Sequence, residues 1–386
     1  MKKFLAFAIL IILACAAPTV KKMTPEEMAE REKEAVKYYS FGTEYLRQKN
    51  FDMALENFKT SLTYDSLYYE SHIGMGTVYR EKRDLTAAEQ SFNRAITIDP
   101  KRSKAYEALG DLYLSSGQYD MAIKSYQEGL VVDSAFIELY FGLADAYDKA
   151  GKVSEADGVY KKAIALFPED LGLRRGYGRL LFKQGRYAEA KEQLAPCCIS
   201  FPDVAELHEE YADALVEIGE YTEALKEYNG ILAKKPNDAN IIMKVGNVYM
   251  KQKKLSQARQ QFLKARDLAP NEALPHIRLG DLYTRQGNYG EAEKALRSAL
   301  KIDNSLSVGH VLLGDLFRFQ AENYKNQKKR KEAVQYYKNA KAEYQLVQSG
   351  DSYYKYASTE AERCRINIDK LKEELWFQEG IRLEDP

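Results

Sequence analysis

The chain has 386 residues, 30% of them charged and 12% aromatic, chiefly tyrosine. That composition excludes a disordered or collagen-like polymer and favours a folded, helix-rich protein. Its 57 basic and 57 acidic side chains cancel, so no basic surplus announces a nucleic-acid partner, and the bulk charge announces no strongly acidic or basic substrate.

The first element is the opening stretch "MKKFLAFAILIILACAAP", in which Lys2 and Lys3 precede an apolar run from Phe4 to Ala14. Such a run is too short to span a bilayer, which takes about 20 apolar residues, but it suits a secretory signal. Two cleavage readings stay open. Ala14-Cys15-Ala16 fits an ordinary A-x-A site, whereas Ile12-Leu13-Ala14-Cys15 resembles a bacterial lipobox and implies a lipidated Cys15 at the mature N-terminus. Ala16, in place of Asp, resembles the pattern of outer-membrane lipoproteins. Residues 1–15 are read as signal and lipobox, and residues 16–34 as a linker and leading helix. Thr24, Pro25 and Glu27 form a capping box that opens this helix, which is expected to run on without a break past residue 34.

From Ala35 the sequence repeats every 34 residues, with frames opening at 35, 69, 103, 137, 171, 205, 239 and 273. Position 20 is alanine in all eight, from Ala54 to Ala292, and position 8 is glycine or alanine, from Gly42 to Gly280. Position 11 is tyrosine in six frames, and position 24 is aromatic or leucine throughout. Positions 4, 7, 8 and 11 make one helical stripe, and 20, 24 and 27 a second. Small residues at 8 and 20 allow two helices to approach closely while rings at 11 and 24 fill the space around them. Phrases such as "SSGQYD" and "RQGNYG" set glycine where a left-handed helix cap is wanted. One hairpin cannot bury both its faces, so neighbours must stack.

Over residues 35–306 this pattern resembles the tetratricopeptide repeat family, whose motif reads W-x₂-L-G-x₂-Y…A-x₃-F…P. The resemblance implies an all-α fold, a right-handed α-α superhelix. The family tryptophan is absent from position 4; the one tryptophan, Trp376, lies outside the repeats. A ninth hairpin is expected over residues 307–350. There Gly314 and Phe317 hold positions 8 and 11, but the matching alanine, read as Ala333, comes seven residues late. Within residues 351–386, the series Ala357, Ala361, Cys364, Ile368, Leu371 and Leu375 predicts a one-sided capping helix. Repeat five, residues 171–204, carries Pro196 inside its second helix, which predicts a kink or hinge. The basic run "KNQKKRK" at residues 325–331 reads as a solvated turn.

No constellation for catalysis or cofactor binding emerges, so neither an enzyme nor a cofactor is expected. His72, His208, His276 and His310 all hold position 4 of successive or distant frames, too far apart to share an ion. Cys197, Cys198 and Cys364 read as buried small residues. What the family resemblance does imply is a concave groove lined by first-helix positions 2, 5, 9 and 12. Carried over frame by frame, this gives Asp111, Asp145, Asp213, Asp281 and Asp315 with Asn247 at position 9, and Phe141, Arg175, Arg179 and Met243 beside them. Asp145–Lys149 and Asp281–Arg285 have the spacing of helical ion pairs, whereas Asp111, Asp213 and Asp315 lack such a neighbour. Two functions are expected from this. The first is a scaffold of the bacterial cell envelope that gathers partner proteins, held to the membrane by a lipid anchor, as similar lipoproteins do in pilus biogenesis, outer-membrane assembly and polysaccharide export. The second is a transport component holding a solute inside the superhelix.

Overall fold

The structure, a computed structural model, describes residues 23–380. Cys15 and the signal lie outside the described residues. Among those residues there are nineteen α-helices and no strand. They form antiparallel hairpins: α1 (Pro25–Arg47) with α2 (Phe51–Tyr64), α3 (Tyr69–Glu81) with α4 (Leu85–Ile98), α5 (Ser103–Ser115) with α6 (Tyr119–Val132), and α7 (Ile137–Lys149) with α8 (Val153–Leu166). These belong to one compact unit, Met1–Leu173. The second unit, Arg174–Pro386, begins inside α9 (Leu171–Lys183). It continues through α10 (Tyr187–Ser200), α11 (Ala205–Glu217), α12 (Tyr221–Lys234), α13 (Ala239–Lys251), α14 (Leu255–Leu268), α15 (Ala273–Arg285) and α16 (Tyr289–Ile302). The lengthened hairpin α17 (Ser307–Asn326) and α18 (Arg330–Gln345) and the final helix α19 (Tyr354–Glu379) complete it.

The hairpins close around the ring at position 24. Phe58, Phe92, Tyr126 and Phe262 are wholly buried, each against the glycine at position 8 of its own repeat. Tyr126 is clamped from both sides, since a Cβ on Gly110 or on Gly142 would lie 2.5 or 2.4 Å from the ring. Alanine at position 20 is buried in every repeat. First helices of successive repeats also touch, α1 with α3, α3 with α5, α5 with α7 and α15 with α17. At the front, the Thr24 capping box is formed, with Glu27 N–H donating to Thr24 Oγ1 at 3.1 Å. Arg31 then donates to the Thr63 and Tyr64 carbonyls that end α2, at 2.6 and 3.0 Å, a basic cap on a helix C-terminus.

Every hairpin turn places one residue at positive φ. Gly117, Gly151, Gly185, Gly219 and Gly287 fill it in five repeats, and Lys49, Arg83, Lys253 and Lys328 in the others. A side chain there is strained by about 1–2 kcal/mol, partly offset by the greater freedom of an unfolded glycine. Lys253→Gly is therefore expected to stabilise the second unit by roughly 0.5–1 kcal/mol, read as a raised urea midpoint; no rise would contradict the turn geometry.

The ninth hairpin departs from the expected register. Gly314 meets Tyr344, which follows Ala340 by four, so Ala340 and not Ala333 holds the position-20 role. The reason is geometric: α17 has 20 residues against 13 in α15, and α18 must run back along that added length before it reaches the level of Gly314. Twenty-six residues separate Gly314 from Ala340, where 12 separate Gly280 from Ala292, an insertion of two heptads. Ala333 and Tyr337 fill the added layer, and Tyr337 donates to Glu322 there. Along this hairpin runs α19, burying Ala357, Cys364, Ile368, Leu371 and Leu375. The basic run is partly tied down, with Lys325 donating to Asn367 at 3.2 Å and Arg330 to Glu374 at 3.1 Å.

Helix α10 continues through Pro196 to Ser200. Cys197, Cys198 and Cys364 are buried, and burial pushes the Cys198 and Cys364 thiols up to about 12. The thiolate is the reactive form. Iodoacetamide at pH 8 is therefore expected to leave both unmodified in the folded chain and to alkylate them quickly in urea. Equal rates in the two states, followed by mass spectrometry, would refute their burial.

Candidate functional site

The acidic residues at position 9 are held by a partner on the second helix. Tyr126 donates to Asp111 at 2.7 Å, Tyr228 to Asp213, and Tyr344 to Asp315 at 2.7 Å. Burial, then the adjoining carboxylate, push each of these hydroxyls far above the usual tyrosine range, so they stay protonated donors at neutral pH. Asp111, Asp213 and Asp315, which lack a basic residue four positions on, are thus paired after all. A base on a neighbouring first helix or on the same helix adds to each: Arg80 at 3.7 Å from Asp111, Lys244 at 2.6 Å from Asp213, Arg318 at 3.5 Å from Asp315. Asp145 and Asp281 form their helical ion pairs with Lys149 and Arg285, at 3.0 and 2.9 Å.

In the second unit, side chains at position 6 of one repeat bridge positions 5 and 9 of the repeat before. Glu210 on α11 receives Arg175 Nη2 at 2.7 Å and Arg179 Nε at 2.9 Å from α9. Lys244 on α13 donates to Glu209 and Asp213 of α11 at 2.7 and 2.6 Å. Burial disfavours the Lys244 ammonium, but the two carboxylates outweigh it and hold its pKa above the usual value. The Lys244–Asp213 rung lies in the wall of an open cleft of about 460 Å³ lined by Phe182, Asp213, Val216, Glu217, Tyr228, Lys244, Asn247, Met250, Lys251, Phe262, Arg278, Asp281 and Arg285. A smaller hollow of about 120 Å³, lined by Arg179, Phe182, Leu194, Glu210 and Asp213, adjoins it. Polar rungs beside the part-exposed Phe182 ring and Met250 thioether suit a peptide, whose backbone and side chains offer both kinds of contact.

Of the expected groove residues in this unit, Asp213, Asn247 and Asp281 line the cleft and Arg179 the hollow. Met243 does not: at 6% exposure it packs with Phe262, Leu279 and Leu282 in the core. Position 5 points between neighbouring first helices there, and a long apolar side chain goes to the buried side of that seam. Asp315 lies in a separate cluster with Tyr344, Tyr356 and Arg318. In the first unit, Asp111 and Asp145 are about half exposed, and Phe141 stands edge-on to Tyr160 at 6.3 Å. Lys244 and Arg278 line the cleft without having stood among the expected binding residues, while Phe182 holds the expected position 12. The signal for the first two was a charged residue at position 6, where the first five repeats have Ser40, Gly74, Ala108, Gly142 and Gly176.

The histidines make separate contacts. His208 contacts Glu227 at 2.6 Å, His310 contacts Glu343 at 2.8 Å, and His72 contacts the Ser66 carbonyl at 3.2 Å. Among the described residues no three histidine, cysteine or acidic side chains cluster as metal ligands, and no helix is long and apolar enough to cross a membrane.

Glu210 allows a pH test. Burial pushes its carboxyl up, but hydrogen bonds from Arg175 and Arg179 prevail and hold its pKa below the usual value. A carboxylate whose pKa is lowered in the fold stabilises it above the unfolded value of about 4.3, and that share is lost as pH falls through the folded value. Glu210→Gln is expected to cost about 1–3 kcal/mol at pH 7, with the gap to the unaltered chain closing towards pH 3. Urea unfolding at both pH values would show it, and a pH-independent gap would contradict it.

Comparison with known proteins agrees with this architecture. Profiles described as tetratricopeptide or TPR repeat match residues 39–103, 91–124, 110–151, 133–260 and 237–305. No curated protein matches the chain in sequence. Among solved structures, a C-terminal part of a TPR repeat-containing protein from Cytophaga hutchinsonii is 15% identical, with a TM-score of 0.49, covering 65% of this chain and 97% of that one. PilF of Pseudomonas aeruginosa is 15% identical with a TM-score of 0.45, covering 54% of this chain and 94% of that one. YrrB, described as a TPR protein with an unusual peptide-binding site, is 22% identical with a TM-score of 0.43, covering 49% and 97%. Identities this low carry no function across. The stacked hairpins, the glycine-clamped rings and the run of matching profiles from residue 39 to 305 together place this chain in the tetratricopeptide repeat family.

Proposed function

We propose that this chain is a protein-interaction scaffold of a bacterial cell envelope, anchored by a lipid on Cys15 and binding segments of partner proteins in the cleft of repeats five to eight. The general part, a scaffold for proteins or peptides, follows from the family. The observation that supports the cleft is its composition: Phe182 and Met250 beside a ladder of fixed charges. Such a surface has apolar area to bury and polar groups to set the register of a bound segment. The remaining groove residues, Asp111, Asp145 and Phe141 in the first unit and Arg175, Arg179 and Asp315 in the second, would contribute to further partner contacts. The envelope location rests on the basic, apolar and small-residue order of the first sixteen residues.

Two measurements test the reading. A photo-crosslinking amino acid at Phe182 or Asn247 in intact cells should trap discrete protein partners, and the same probe at Lys338 on α18 should not. Absence of any adduct from the cleft positions would refute the scaffold. Metabolic labelling with a fatty acid should mark the unaltered protein and not Cys15→Ala; an unlabelled protein would refute the anchor.

A further inference from the structure

The charge ladder of the second unit stops one rung short. Position 6 of repeat six, Glu210, answers Arg175 and Arg179, and position 6 of repeat seven, Lys244, answers Glu209 and Asp213. Position 6 of repeat eight is Arg278, and positions 5 and 9 of repeat seven are Met243 and Asn247, which offer it no carboxylate. Every other base lining the cleft has its acid there: Lys244 has Asp213, Lys251 has Glu217 at 3.0 Å, and Arg285 has Asp281 at 2.9 Å. Arg278 has none among the described residues, and its Nε is buried without a hydrogen-bond partner. A guanidinium cannot shed its proton near neutral pH, and a shielded donor left unmade is costly. A planar fork of N–H groups beside an open cleft matches one chemistry well, a carboxylate bound by two parallel hydrogen bonds.

We propose that Arg278 is the anchor for an aspartate, glutamate or terminal carboxylate of an extended partner peptide lying in this cleft; this rests on the cleft being the partner-binding site. A peptide fits better than a free small anion because the cleft continues past Phe182 and Asp213 into the adjoining hollow, a trough longer than one carboxylate needs. Met250 and Phe182 along it, each part-exposed, take apolar side chains flanking the acid. Asn247, on the wall beside Arg278, is the spare amide for the peptide backbone. Specificity follows from the same arrangement: a segment without an acid leaves Arg278 unpaired and gains nothing at that rung.

The test pans a phage-displayed library of random peptides against the full chain and measures enriched peptides by fluorescence anisotropy. Enriched sequences should carry an acidic residue. Asn247→Asp, nearly isosteric, supplies the missing carboxylate from position 9 as Asp213 does for Lys244. It should weaken binding roughly tenfold to a hundredfold while raising the melting temperature. Arg278→Gln should weaken it equally, and Arg278→Lys should restore part. Peptides without acids, or affinities unchanged within about twofold in both variants, would overturn the anchor and leave the cleft as a binding site. No enrichment at all would overturn both. Succinate binding as tightly as the peptides with the same dependence on Arg278, or self-association lost in Asn247→Asp, would give the rung to a solute or a second copy and overturn the peptide.

Discussion

Tyr126→Ala is expected to cost the first unit about 3–5 kcal/mol, at the upper end of large-to-small core changes. The ring is fully buried, and the two backbones that clamp it are those of glycines, Gly110 and Gly142. Neither has a side chain to move, so the cavity stays open and its whole dispersion loss is felt. Tyr126→Phe separates the hydroxyl from the ring. Asp111 is about half exposed, so water replaces the lost donor and the cost should be only about 0.5–1.5 kcal/mol. Urea unfolding followed by circular dichroism measures both. Costs for alanine and phenylalanine within about 1 kcal/mol of each other would show that the glycine clamp does not hold the hairpins together.

Removing α19 is the second large change. Its Ile368, Leu371 and Leu375 are buried against α18 and its neighbours, each worth about 1.5–3 kcal/mol, and without them Tyr337, Tyr344 and Val347 face water. A chain ended after Asp351 is therefore expected to lose its cooperative melt in the second unit and to aggregate, as a solenoid without a terminal cap does. Truncation is blunt, so a point change sharpens it. Leu371→Asp, at a site 2% exposed, buries an unpaired charge and should cost about 4 kcal/mol or more. Phe377→Asp, at a site 68% exposed on the same helix, should cost less than about 0.5 kcal/mol. Similar effects from the two would mean that α19 does not cap the array.

Much of the hydrogen bonding at position 9 is visible in the chain once its repeats are compared with one another. Position 24 is tyrosine where position 9 is Asp111, Asp145 or Asp213, and phenylalanine or leucine where it is Thr43, Thr77, Arg179 or Asn247. Asp281 stands opposite Leu296 and takes Arg285 instead. A search limited to partners one helical turn away misses this, because the hydroxyl arrives from the other helix of the hairpin, fifteen residues on in the regular repeats. The register of the ninth hairpin escapes the sequence for a related reason. An alanine seven residues late satisfies the spacing, but the returning helix must retrace the added length of α17, and Gly314 against Tyr344 shows two heptads. Met243 belongs to the groove by its place in the repeat, yet the seam between α13 and α15 buries it.

The all-α fold, the hairpin and its left-handed turn could be read from the residues because they depend on contacts within 34 positions, and a period of that length displays them over and over. The cleft's charges could not be read that way. Which base answers which acid depends on where one first helix lies against the next, and a rung between Lys244 and Asp213 spans two repeats that share no local signal. The unpaired Arg278 is the extreme case: its meaning is an absence, which emerges when every neighbouring charge has been placed in space and matched.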